Sequence, residues 1–385
     1  MPSPVEVLDA TNATLSAEQA EASSVELCSQ IEESMQSAAA AGLHHVSDEW
    51  PGIRRKRSGK GFSYYDAQGN RIQDPKERQR LEALRIPPAW QDVWICPKAN
   101  GHLLATGRDA KGRKQYLYHP DWNRFRNEAK FSRMVPFGLA LPKIRERVES
   151  DLRKQKLSRE KVLAVVVRLL GETFIRIGND EYAQKNRSFG LTTLRDRHVE
   201  ISGSTIKFQF RGKHGIEHEI EVCDRKLANL VKRCRDIPGY ELFQYYDEDG
   251  KRQCISSEDV NNYLRDITGD SFSAKDFRTW AGTVQTALIL RDIGPASTKT
   301  EAKRNMVQAV KEIAKLLGNR PATCRKYYVH PVILACYEDG TLLPALESPP
   351  EGVVPEAADG NGLSQEEQAV LALLEQYLDP AMISA

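Results

Sequence analysis

Between Val199 and Val222 hydrophobic and polar residues alternate with period two. Ile206, Phe208 and Phe210 fall on one face, and Lys207, Gln209 and Arg211 on the other. Ile216, His218, Ile220 and Val222 repeat the pattern after a turn near Gly212–Gly215, and Gly203 supplies an earlier turn. That pattern predicts a three-stranded antiparallel meander. Upstream, "SREKVLAVVVRLLGETFIRIGND" is apolar on most sides and starts at a capping residue, Ser158. It predicts a buried helix ending at Gly178 or Asn179. Helical patterns fill most of the region from about 137 to 318. The earlier part differs. "GFSYYDAQGNRI" reads as two short strands about an Asn/Gly turn, and "DVWICP" and "HLLATGRDAKGRKQYLYHP" as further strands. "DPKERQRLEALRI" reads as a helix with Asp74 as N-cap, Pro75 in the first turn and Glu77 three residues after the cap.

These elements predict an α+β protein. A small, β-rich mixed domain covers 49–133, and a larger, mostly helical domain with the three-stranded sheet covers 134–339. Residues 1–48, rich in Ala, Ser and Glu without an aromatic residue, read as an acidic mobile arm with transient helix around 16–41. Residues 340–385 read as an acidic tail ending in one short helix. Ser364 and Glu367 form its capping box, and Val370, Leu371, Leu374 and Leu378 give it an apolar stripe that needs a docking surface.

Charge sharpens this division. The 385 residues carry a net +2, yet residues 1–48 and 340–385 each hold eight acids and no Lys or Arg. The body between them therefore carries all 55 basic residues against 37 acids, a net +18. A basic body flanked by acidic ends points to a polyanionic partner. The seven cysteines are scattered with no CxxC pair, which fits reduced thiols rather than a disulfide framework or a zinc site. No apolar run approaches membrane-spanning length and the N-terminus lacks a secretory pattern, so a cytoplasmic protein is expected.

Several motifs fall away on inspection. "GRDAKGRK" approaches a phosphate-binding loop, but Arg113 stands where Lys is needed and Lys114 where Ser or Thr is needed. His214 and His218 lie across a strand turn, where a spacing of four does not make a metal pair. Acidic residues do not cluster as a two-metal nuclease requires. What remains is a set of cations in unusual settings: Arg176 after an apolar helix, Lys213 at a glycine-flanked hairpin tip, and Arg278 among aromatics in "KDFRTWAG". Each taken singly is more often structural.

In order and spacing, "FIRIGNDEYAQKNRSFGLTTLRDRHVEI" (174–201), "FRGKHGIEHE" (210–219), "KDFRTWAG" (275–282) and "LLGNRPATCRKYYVHP" (316–331) resemble the catalytic domain of poxvirus-like type IB DNA topoisomerases. "GRDAKGRKQYLYHP" (107–120) resembles the N-terminal DNA clamp of the same enzymes. The resemblance spans about 50–339. It implies that Arg176, Lys213 and Arg278 are the catalytic basic residues and that Tyr328, followed by V-H-P, is the nucleophile. Asn319 stands nine residues before Tyr328, where poxviral and nuclear members carry histidine. The same resemblance implies DNA contacts by Gln115, Tyr116 and Tyr118, with Arg113, Lys114, Tyr182 and Lys275 as further candidates. It implies relaxation of supercoiled duplex DNA, with no cofactor and no metal, by a monomer associated with the nucleoid. Two other readings stay open. A tyrosine recombinase shares the chemistry but usually carries His-x-x-Arg where this chain has Lys275-x-x-Arg278. A DNA-binding protein without catalysis would need none of the Arg, Lys, Arg, Tyr set.

Overall fold

A computed structural model describes residues 34–59, 61–347 and 362–378. The arm before residue 34, the segment 348–361 and the last seven residues lie outside the described residues. The chain divides into two compact units, one ending at Ala129 and one starting at Lys130.

The first unit is built on a five-stranded antiparallel sheet in the order β2-β1-β3-β4-β5. Its elements are α1 (34–40), β1 (Ile53–Ser58), β2 (Gly61–Tyr65), α2 (Pro75–Ala83), β3 (Gln91–Ile95), β4 (Leu103–Arg108), β5 (Lys114–Tyr118) and α3 (Pro120–Ser132), which runs on past Ala129. The α2 cap is the expected one: the Asp74 carboxylate accepts from the Glu77 amide at 3.0 Å. Ile53, Tyr64, Leu81, Ile86, Val93, Ile95 and Ala105 form the core.

Three local expectations need correction here. The partner of β2 is β1, "IRRKRS", not the segment after the Asn/Gly turn, which contributes only a single bridge between Tyr65 and Arg71. Three of its four cations, Arg54, Lys56 and Arg57, are exposed to solvent, and the fourth is held by a ring and by carbonyls. Arg55 lies over the Phe62 ring and donates to the carbonyls of Ile86, Pro87 and Trp90. Second, residues 34–48 are not a loose arm. Ala38 and Leu43 pack with Trp122, Val46 packs with Trp94, Cys96 and Leu103, and His44 bridges to Gly101. Apolar side chains buried there outweigh the polar composition that suggested mobility. Third, helix begins at Pro120, well before residue 137.

In the second unit the elements are α4 (Met134–Leu152), α5 (Arg159–Thr173), α6 (Asp180–Asn186), β6 (Val199–Ser202), β7 (Thr205–Arg211), β8 (Glu217–Cys223), α7 (Arg225–Arg235), β9 (Gln244–Tyr246), β10 (Arg252–Cys254), α8 (Ser257–Thr268), α9 (Ala274–Ile293), α10 (Lys299–Leu316), α11 (Pro321–Tyr327), α12 (Pro331–Asp339), α13 (Leu342–Glu347) and α14 (Gln365–Leu378). Strands β6, β7 and β8 form the expected meander, with Ile206 opposite Val222 and Phe208 opposite Ile220. The small β9–β10 hairpin interrupts a stretch that reads as helical; its three-residue strands are too short to show a period.

Helix α5 is buried from Val162 to Val167, as its apolar girth demands, but it ends at Thr173 rather than near Gly178. Phe174 takes a left-handed conformation (φ 54°), and the Thr173 hydroxyl bonds back to the Leu169 carbonyl while accepting from the Ile175 amide. This early stop frees residues 175–178 to run beside 190–192, where the Leu191 amide donates to the Arg176 carbonyl and the Thr192 amide to Ile177. The C-terminal helix α14 enters the core of this unit through Ala369, Val370, Leu371, Leu373 and Leu374. No helix among the described residues is long and apolar enough to cross a membrane.

Candidate active site

Helix α9 organises the site. Its capping box at Ser273 and Asp276 starts it, and Arg278 follows one turn later with only 4% of its surface exposed. Arg278 donates through one terminal nitrogen to the Phe174 carbonyl and through the other to the Leu317 carbonyl at 2.7 Å. It thereby ties the early end of α5 to the loop after α10. One turn further on, Gly282 allows the Tyr328 backbone to lie against the helix: a Cβ at Gly282 would come within 2.4 Å of the Tyr328 carbonyl oxygen. The neighbouring Thr283 hydroxyl accepts from the His330 amide at 3.0 Å and donates to that carbonyl at 3.3 Å.

The tyrosine pair does not lie on one helix. Helix α11 ends at Tyr327 and α12 begins at Pro331, so Tyr328 caps the first in a non-helical conformation (φ −128°, ψ −15°). Tyr328 therefore shares no helical face with the residues of α12, because Pro331 cannot donate the bond that would continue the turn. The selection of Tyr328 rests instead on tertiary contacts. The Arg278 guanidinium carbon lies 5.3 Å from the Tyr328 ring centroid, and the phenol interacts electrostatically with both Arg278 and Arg176. Tyr327 lies under the Lys326 ammonium instead.

Arg176, held by its carbonyl beside Leu191, donates to the Gly318 carbonyl at 3.1 Å and to the side-chain oxygen of Asn319. Burial and the neighbouring Arg278 pull its pKa down to about 10, so it stays charged at neutral pH. Burial lowers the pKa of Arg278 as well. Among the described residues, neither guanidinium forms an ion pair with a carboxylate. Two buried donors also lack an acceptor: Nε of Arg278 and Nδ2 of Asn319, which sits beside the Cys324 thiol without an ordinary hydrogen bond. Each such group costs about 1–3 kcal/mol while unmatched. Two adjacent cations and two unmatched donors form a site that an anion with several oxygens would complete.

The loop carrying Gly318 and Asn319 is shaped by a residue that spacing did not single out for this purpose. Gly318 has φ 56°, and a Cβ there would meet the His218 ring at 2.3 Å. His218 stacks on Phe210 (centroids 5.0 Å apart, planes 13°). Its pKa falls to about 4 through burial and the charges of Arg176 and Arg278. The sequence showed it as a position of the third strand and as half of a rejected metal pair. A second missed residue is Lys130, whose ammonium lies 4.6 Å from the Tyr328 ring centroid and donates to the Tyr327 carbonyl. Nothing in the spacing of the motifs pointed to it.

Arg176, Arg278, Asn319 and Tyr328 are thus brought together. Lys213 is not: it sits exposed at the turn between β7 and β8, with no ion pair to any described residue. His214 beside it has φ 65° and Gly215 φ 76°, a backbone that projects the tip outward. Of the remaining candidates in this unit, Tyr182 is 47% exposed on α6 and Lys275 is exposed at the start of α9.

In the first unit, β5 alternates so that Lys114, Tyr116 and Tyr118 share its exposed face. The two tyrosine rings stack at 6.0 Å, and the Lys114 ammonium lies 5.5 Å from the Tyr116 centroid. The polar candidates are held by acids. Lys114 pairs with Asp48 at 2.7 Å, Arg113 with Asp109 at 2.6 Å, and Gln115 donates to Asp109 at 3.0 Å.

Comparison with known proteins closes the question of family. Residues 119–340 match the family described as eukaryotic DNA topoisomerase I, catalytic core, and residues 61–109 match bacterial DNA topoisomerase IB, N-terminal domain. The chain is 32% identical over 296 residues to the DNA topoisomerase 1B of Acanthamoeba polyphaga mimivirus, covering 75% of this chain and 88% of that protein. It is 26% identical over 272 residues to the DNA topoisomerase 1B of Vaccinia virus (strain Copenhagen), covering 68% and 82%. With the arginine–tyrosine cluster assembled as described and both regions matched in order, the chain belongs to the type IB DNA topoisomerases.

Proposed function

We propose that Tyr328 is the nucleophile with which this chain cuts and reseals one strand of a supercoiled duplex, acting as a monomer. The Tyr328 oxygen attacks a backbone phosphorus, and the bond from phosphorus to the sugar 5′ oxygen breaks. The DNA 3′ end is left as a tyrosyl ester, and the 5′ end as a hydroxyl once its oxygen takes up a proton. Rotation of the cut strand releases supercoils. The 5′ hydroxyl then attacks the same phosphorus and expels the tyrosine. One phosphodiester replaces another, so the cycle needs no ATP.

The single observation that carries this reading is the Tyr328 phenol beside the buried Arg278 and the half-buried Arg176, with unmatched donors around it. Arg176 and Arg278 meet the charge that spreads over the non-bridging oxygens, and a donor aimed this way is worth about 3 kcal/mol in the transition state. Asn319 offers Nδ2 as a neutral donor. Lys213, at its projecting tip, is the proton donor to the 5′ oxygen; DNA has to draw this tip and the phosphate together. Arg113, Lys114, Gln115, Tyr116 and Tyr118 hold the duplex, with Tyr182 and Lys275 as contacts on the catalytic unit.

The test is relaxation of supercoiled plasmid in EDTA without ATP, together with covalent capture of a labelled duplex. Wild type is expected to relax and to capture. Tyr328→Phe is expected to lose both while binding DNA as wild type does, whereas Tyr327→Phe keeps both. Loss of capture in Tyr327→Phe alone would reverse the assignment.

A further inference from the structure

Lys130 lies in the last turn of α3, as the first residue of the second unit. Its ammonium donates to the Tyr327 carbonyl, stands 4.6 Å from the Tyr328 ring centroid and 5.9 Å from that of Phe131. The charged groups facing it come from α9: Asp276 attracts it, while Lys275 and Arg278 repel it. The Asp276 carboxylate is itself engaged by the backbone and hydroxyl of Ser273, and Lys130 makes no ion pair with any described residue. Burying an ammonium near two like charges, with the Asp276 carboxylate attracting it only through space and no ion pair formed, is unfavourable unless the contacts it does make repay it. Those contacts are the nucleophile's ring and the carbonyl one peptide before it. A desolvated cation is attracted to an aromatic face by the ring's negative centre.

We propose that Lys130 is a positioning residue for strand cleavage: it fixes the backbone and ring plane of Tyr328 so that the phenol oxygen stays at the Arg176–Arg278 pair. Both of its contacts bear on the same short segment between α11 and α12, whose backbone is held by the Cys324 carbonyl, which accepts from the Tyr328 and Val329 amides, and by the Thr283 hydroxyl, while the Tyr328 ring is left to side-chain contacts. Arg278 approaches the same ring. The inference rests on the assignment of Tyr328 as nucleophile. Burial, with Arg278 and Lys275 adding to it, also brings the Lys130 pKa down to about 8, so its charge is lost within the range over which cleavage can be assayed.

The experiment compares full-length wild type, Lys130→Met, Lys130→Gln and Tyr328→Phe. For each, melting, affinity for a duplex oligonucleotide and the single-turnover rate of covalent adduct formation are measured across neutral to alkaline pH. Misplacing a reacting group by an ångström can cost up to about a hundredfold in rate, so cleavage by Lys130→Met should fall on the order of ten- to a hundredfold while affinity holds. Lys130→Gln keeps a donor for the Tyr327 carbonyl and should recover part of the rate. The ratio of wild-type to Lys130→Gln rates should decline as pH rises through 8, because the amine loses its charge there. A folded Lys130→Met that cleaves at the wild-type rate overturns the proposal. So does a loss confined to affinity, which would make Lys130 a phosphate contact. If Lys130→Met fails to melt cooperatively, Lys130→Gln decides on the same readouts. Covalent capture by Tyr328→Phe would instead sink the nucleophile assignment, a failure separable from that of Lys130.

Discussion

His218 is stacked on Phe210, fills the space that a side chain at Gly318 would need, and faces Arg176 and Arg278. A phosphate between the arginines would welcome a proton there, but the unliganded site repels one. The folded pKa of about 4 lies below the ordinary ~6.5 of an unfolded histidine, so the unfolded chain binds the proton first. Stability from this group is therefore complete above pH ~6.5 and is lost as pH falls towards 4. His330, buried between Phe131 and Thr283, behaves the same way through burial and adds to the slope. Replacing His218 by Gln should flatten the pH dependence of the unfolding free energy in that window by up to one proton, ~1.4 kcal/mol per pH unit. Denaturant titrations at several pH values measure it, and an unchanged slope would show that His218 takes up its proton in the folded state. At this scale the sequence offered Arg176, Arg278, Asn319 and Tyr328 as candidates through their motifs and spacing, and the structure brings these four side chains near one another. His218 and Lys130 were obscured because each matters through what it touches across the fold, and neither touches a residue near it in sequence that would betray the role.

Helix α14 shows how an element can be read correctly while its destination stays hidden. Its capping box is formed as expected: the Glu367 amide donates to the Ser364 hydroxyl, and the Ser364 amide to the Glu367 carboxylate. The same carboxylate accepts two bonds from Arg145 on α4, at 2.8 and 2.9 Å, and one from the Trp280 indole on α9 at 3.0 Å. Burial alone would raise its pKa, but the Arg145 bonds and charge outweigh it and hold the carboxyl below the usual range. The acidic tail is thus pinned to the back of the helix that carries Arg278. Glu367→Ala strands Arg145 and the indole N–H, and should cost about 3 kcal/mol of stability, read as a lower denaturant midpoint. A midpoint equal to wild type would mean that α14 is held by its apolar face alone. The premature end of α5 belongs to this scale too. "ETFIRIG" has the apolar content to continue a helix, and only the pairing of residues 176 and 177 with 191 and 192 made the extended path better.

For the whole molecule the governing quantity is the +18 carried by residues 49–339. Affinity for duplex DNA should fall about a thousandfold or more between ~50 and ~200 mM salt, since each phosphate contact contributes a slope of roughly −0.9 in log–log form. Fluorescence anisotropy with a labelled duplex measures this, and a flat response would remove the clamp from the argument. Asp48 and Asp109 pair with Lys114 and Arg113, so a phosphate contact at either cation would have to displace a carboxylate. The sequence by itself determined the meander, the buried helix and the charge division, because period and composition are properties of neighbouring positions. Only the tertiary structure decided that residues 34–48 are packed, that α5 stops early, that Tyr328 rather than Tyr327 meets the arginines, and that Lys130 and His218 stand around them. Each of these depends on burial and hydrogen bonds between segments far apart in the chain, whose energies no local pattern encodes.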